Sequence, residues 1–135
     1  MTQVFEHATP FTVHDIAAFP LVWTRHEAVR PGYAAQWERE MDELLRQQFP
    51  FVILMPERQA EEEHADRKVR ALWLKRNKEA LARLCKAVIA VEPDALKRVA
   101  LNAQAALAVK AFGVPMAIAP SAQAAQELAR ERLAG

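Results

Sequence analysis

The chain has 135 residues, 52% of them hydrophobic and 26% charged, and carries a formal net charge of +1 at pH 7. That length suits one domain with a real core, and the apolar share favours a globular fold over disorder. Near neutrality excludes a global pull toward nucleic acid or an anionic membrane surface, and no run reaches the roughly 18 apolar residues that cross a bilayer.

The opening "MTQVFEHATPFTVHD" lacks the basic start and apolar run of a signal peptide. A single cysteine, Cys85, allows no internal disulfide, which fits a reducing compartment. A cytoplasmic location is therefore expected. Residues 1–10 show no periodicity and are expected to fray, leaving residues 11–135 as a single α/β domain.

Two short strand candidates come first, "FTVH" (11–14) and "LVWTRH" (21–26), separated by "DIAAFP" as a turn. Residues 31–48 then place Trp37, Met41, Leu44 and Leu45 on one helical face, with Pro31 suited to the first turn. "FVILM" (51–55) is continuously apolar, as a strand covered on both faces requires. Residues 60–85 read as one long helix with Val69, Leu72, Trp73, Leu81, Leu84 and Cys85 inward and the charges outward.

"AVIAV" (87–91) is a second buried run, and "VPMAIA" (114–119) a third. Pro115 cannot donate to a ladder, so the third run belongs at or near a sheet edge. Between them, "EPDALKRVALNAQAALAVKAFG" opens with Pro and Asp and closes with Gly113, a helix stop. "SAQAAQELARERLAG" opens on Ser121 as N-cap and closes on basic residues. The order β-β-α-β-α-β-α-β-α predicts a three-layer α/β domain. Its sheet has four or five mainly parallel strands with helices on both faces.

That order, with the closing "FGVPMAIAPSAQAAQELA", resembles the sulfate-transporter and anti-sigma-factor-antagonist (STAS) superfamily over roughly residues 11–133. The resemblance implies a small α/β domain that binds protein partners. Members switched by phosphorylation carry a Ser or Thr in the loop after a central strand. Here that loop reads Pro56, Glu57, Arg58, Gln59, so the switch is not implied. A flavodoxin-like domain gives nearly the same pattern. "FGVP" is also similar to the cis-proline segment of the thioredoxin fold, but that fold's Cys-x-x-Cys is absent.

In parallel sheets ligands gather beyond the carboxyl ends of the strands. Those positions hold Arg25 and His26, Glu57 and Arg58, Glu92 and Asp94, and Ser121. If they converge, Arg25 and Arg58 are the anion-binding candidates and His26 the group that titrates near neutrality. The competing reading makes Asp94 and Ser121 helix caps and the others solvated loop residues.

Other patterns carry less. A single Glu61-x-x-His64 has no second copy, and His7 and His14 join no ligand set, so no metal is expected. Cys85 reads as core packing. With glycine only at 32, 113 and 135, no phosphate loop or dinucleotide fingerprint can be built, and no cofactor is expected. From Asp66 to Lys86 the chain holds eight bases and two acids, a net +6 that follows a net −3 over residues 57–63. Acids in the first turns and bases further along complement a helix dipole, so a solvated helix face is preferred to a nucleic-acid site built on Trp73.

The expected function is a non-catalytic protein-binding or regulatory module, STAS-like without the phosphorylation switch, with a homodimer as one partner arrangement. The alternative is a binding protein or enzyme that takes a small anionic ligand at the carboxyl ends of the strands. His26 would be its acid/base and Arg25 or Arg58 its anion clamp.

Overall fold

The computed structural model describes residues 10–57 and 61–135. Five strands form one mixed sheet in the order of the chain: β1 (His14–Asp15), β2 (Leu21–Thr24), β3 (Phe51–Met55), β4 (Cys85–Val91) and β5 (Met116–Ala119). β1 is antiparallel to β2, and every later neighbour is parallel. The three apolar runs thus lie side by side as β3, β4 and β5, with β5 at an edge as Pro115 requires. The Pro115 carbonyl still accepts from Val88 N–H at 2.9 Å.

The helices among the described residues are α1 (Ala34–Arg46), α2 (His64–Arg76), α3 (Lys78–Leu84), α4 (Ala95–Phe112) and α5 (Ala122–Ala134), and a 3-10 turn spans His26–Ala28. One face of the sheet presents Val22, Phe51, Ile53 and Cys85 to α1, α2 and α3, which contribute Trp37, Met41, Leu44, Trp73, Leu81 and Leu84. The other face presents Leu21, Val52, Leu54, Ala87, Ile89 and Val91 to Ala125 and Ala129 of α5. Side chains alternate across a strand, so β3 needs apolar residues at every position. Each large side chain buried there contributes about 1.5–3 kcal/mol.

Several helix ends are as read from the sequence. Asp94 accepts from the N–H groups of Leu96 and Lys97, and Ser121 Oγ accepts from Ala124 N–H. Gly113 closes α4 at φ 73°, a left-handed conformation that favours glycine. A Cβ there would also stand 3.3 Å from Lys78 Cε.

Four expectations need correction. β1 has two residues rather than four, and Phe11 to Val13 precede it as irregular chain. The long helix expected over residues 60–85 is two helices parted at Asn77, whose φ of −109° and ψ of 19° leave the helical region. Asn77 Nδ2 donates to the Trp73 carbonyl, the side-chain competition with backbone that makes Asn a poor helix-interior residue. Leu72 is 50% exposed, and the buried face of α2 instead runs through Asp66 and Trp73, with Arg70 half-buried beside them. Cys85, expected at a helix end, begins β4. The expectation for residues 1–10 falls almost wholly outside the described residues.

Polar groups explain that rotation of α2. Asp66 is buried and its carboxylate accepts from Gly32 N–H at 2.8 Å and Ala34 N–H at 3.1 Å. It caps the start of α1 from another helix, because Tyr33 at the N-cap makes no side-chain cap. Trp73 Nε1–H donates to Asp42 Oδ1 at 2.8 Å, fixing the same pair of helices further along.

Candidate functional site

The alternation of burial along β4 marks where the helix layer stops short. Ala87, Ile89 and Val91 are buried under α5, whereas Val88 and Ala90 on the opposite face are only partly covered. Above Val88 lies a cavity of about 290 Å³. Its floor is sheet: Ile53, Met55, Val88 and Met116. Its walls come from α1 (Trp37, Met41), α2 (Arg70, Leu74), α3 (Leu81) and α4 (Ala108, Phe112), so it sits between the sheet and four helices. Thr24, His26 and Pro56 place one side of it at the carboxyl ends of β2 and β3, where ligands of parallel sheets collect.

The lining is mainly apolar with a few polar groups, the composition of a small-molecule site, and its volume is at the lower end of the ~300–1,000 Å³ such sites occupy. Two polar groupings border it. In the first, Glu62 accepts from Tyr33 Oη at 2.6 Å and from Arg70 Nη1 at 2.6 Å. Burial, and then the hydrogen bond to Glu62, push the Tyr33 hydroxyl well above its ordinary pKa, so it remains a donor. The Arg70 guanidinium also lies 5.1 Å from the centre of the Trp37 ring. Its charge is matched by Glu62, so this grouping offers a ligand little net charge.

The second grouping is His14 and Glu40. His14 Nδ1 lies 2.9 Å from Glu40 Oε1, and both residues are almost fully buried. Glu40 also accepts from the backbone N–H groups of Thr12, Val13 and His14 and from Gln36 Nε2. Burial would raise its pKa, but the hydrogen bonds from His14, Thr12, Gln36 and Val13 outweigh that and hold it at about 2. Glu40 is therefore a carboxylate at neutral pH. It replaces the strand partner that Thr12 and Val13 lack at the sheet edge.

Of the residues expected at the strand ends, only His26 lines this cavity among the described residues. Its Nδ1 lies 3.4 Å from Glu27 Oε2 at the surface. Arg25 is exposed and 3.8 Å from Asp15. Glu57 is exposed, and Arg58 lies outside the described residues. Glu92 accepts from Asp94 N–H, while Asp94 and Ser121 serve as exposed caps.

Glu61 and His64 are both exposed, and no cluster of three or more potential metal ligands occurs among the described residues. Cys85 lines the cavity, but burial pushes its thiol up to about 12 and its Sγ donates to the Ala87 carbonyl at 3.4 Å. It is a thiol at neutral pH and not a nucleophile.

His14, Glu40, Glu62 and Arg70 were not candidates from the sequence. Buried polar residues break no periodic pattern in a way that announces them. The available signal was Glu40 on the same α1 face as Trp37, Met41 and Leu44, spaced as a core position. No family model, curated protein or solved structure matches the chain. No helix among the described residues is long and apolar enough to cross a membrane.

Proposed function

We propose that this chain is a small-molecule-binding protein whose ligand is a compact apolar body with a neutral polar group. The observation that carries the reading is the cavity of about 290 Å³ between sheet and helices, floored by Ile53, Met55 and Val88 and bordered by one buried and one half-buried polar grouping. An apolar space of this size releases bound or disordered water when an apolar ligand enters, which favours binding. An anionic ligand is less well supported, because Arg70 is already paired with Glu62 and Arg25 with Asp15. No assembled nucleophile borders the space among the described residues, so binding is favoured over catalysis.

The reading accommodates a STAS-like regulatory role. A leading antiparallel strand and sequential parallel strands fit that resemblance. With no hydroxyl after β3, ligand occupancy would stand where phosphorylation stands in switched members. The test is a methyl-resolved NMR titration with β-methylnaphthalene. Saturable shifts centred on Ile53, Val88, Met55 and Met116 support the proposal, and shifts scattered over the surface oppose it.

A separate observation favours self-association. α4 seats on β5 with only Ala105 fully buried, and its opposite face carries Leu96 (82% exposed), Val99 and Leu107 in a stripe. Laid antiparallel on a second copy, that stripe is covered and Lys110 of each chain comes toward the acidic Glu92–Asp94 end of the other.

A further inference from the structure

We infer that His14, oriented by Glu40, is the hydrogen-bond acceptor for a hydroxyl on the ligand of this cavity, and that the ligand class is a hydroxylated compound of about two fused rings. The inference rests on the small-molecule reading above and names the ligand's chemistry.

Glu40 is acceptor-only as a carboxylate, so the contact at 2.9 Å requires the proton on His14 Nδ1. In the neutral ring that tautomer leaves a lone pair on Nε2. Nε2 is buried and has no hydrogen-bond partner among the described residues, and His14, 1% exposed, lines the cavity. A buried acceptor left unmade costs on the order of 1–3 kcal/mol, so such groups normally have a partner. The protein does not supply one by moving the ring. His14 is fixed by its strand pairing with Thr24, by Glu40 on its backbone N–H and its Nδ1, and by the rings of Phe11 and Trp37, each with its centroid 6.4 Å away.

A second unmatched atom belongs to another residue that lines the same space. Arg70 Nε is buried without a partner among the described residues, and Arg70 also lines the cavity. The two atoms are of opposite sense, an acceptor and a donor. A hydroxyl is both donor and acceptor, so it answers each where an ether, an amine cation or a carboxylate answers one. The remainder of the lining is apolar and calls for an apolar body. About 150 Å³ is enough to hold benzene, so about 290 Å³ suits two fused rings. The same carboxylate–imidazole arrangement would polarise the bound O–H without any further group.

The test compares β-naphthol with its near-isostere β-methylnaphthalene on the full chain, by calorimetry or NMR titration. The ratio of their affinities is measured in the native protein and in His14→Phe. It is expected to fall by about fivefold in the variant, the size of one net hydrogen bond. Because His14→Phe removes the His14 Nδ1 hydrogen bond from buried Glu40 and weakens the fold, the nitrogen NMR signal of His14 Nε2 is followed in the native protein as well. It is expected to shift with β-naphthol and to stay in place with β-methylnaphthalene. Binding of both probes with no shift at Nε2 overturns the inference, assigns a water to that atom, and leaves the cavity reading standing. Binding of neither probe overturns both.

Discussion

The rings of Trp37 on α1 and Trp73 on α2 meet edge to face, with centroids 5.2 Å apart and planes at 81°. Trp73 is fully buried, and its Nε1–H donates to Asp42. Trp37 in turn borders the cavity and lies under Arg70. The basic segment from Asp66 to Lys86 therefore anchors its tryptophan in the core and keeps its bases on the solvent side, Arg70 apart.

Trp73→Ala should cost about 3–5 kcal/mol in urea unfolding, as deleting a buried ring does, and Trp73→Phe about 1–2 kcal/mol for the lost hydrogen bond and volume. A stacking platform for single-stranded nucleic acid would have this ring on the surface. Its removal would then cost under about 0.5 kcal/mol and would abolish binding.

Glu40 gives the fold a specific acid sensitivity. Its pKa is lowered from 4.5 to about 2, so the unfolded chain takes up its proton first as pH falls. The stabilisation is complete above about 4.5 and is lost as pH falls from there to about 2. The stability difference between the native chain and Glu40→Gln, followed by urea unfolding, should shrink across that window. A difference that holds constant from neutral pH down to pH about 2 would show that Glu40 is not held as described.

The α4 stripe is tested by Val99→Glu. Light scattering at micromolar concentration should show a dimer for the native chain and a monomer for the variant, with circular dichroism unchanged because Val99 is exposed. A native chain that is monomeric under these conditions removes the self-association reading.

The sheet was legible because its strands are covered on both sides. "FVILM" has no polar position to give, and such a run admits few other structures. The caps Asp94, Gly113 and Ser121 were legible because capping is local chemistry. The break at Asn77 and the rotation of α2 were not. Periodicity ranks Leu72 above Asp66 and Arg70, and only the tertiary partners Gly32, Ala34 and Glu62 reverse the order. The site was half legible. Strand-end geometry led to His26, but the cavity depends on where α4 stops covering β4, which no local pattern encodes. His14 was passed over because its partner is 26 residues away.

Val88 stands on the β4 floor of the cavity and is the place to fill it. Val88→Phe grows into the empty space, so the fold should persist at a cost of no more than about 1–3 kcal/mol. The decisive measurement is the dissociation constant for β-methylnaphthalene in the native chain and in this variant. Ligand binding in the cavity predicts at least about a tenfold weakening, or about 1.4 kcal/mol. Equal affinity in a folded Val88→Phe chain would place the ligand elsewhere and contradict the account.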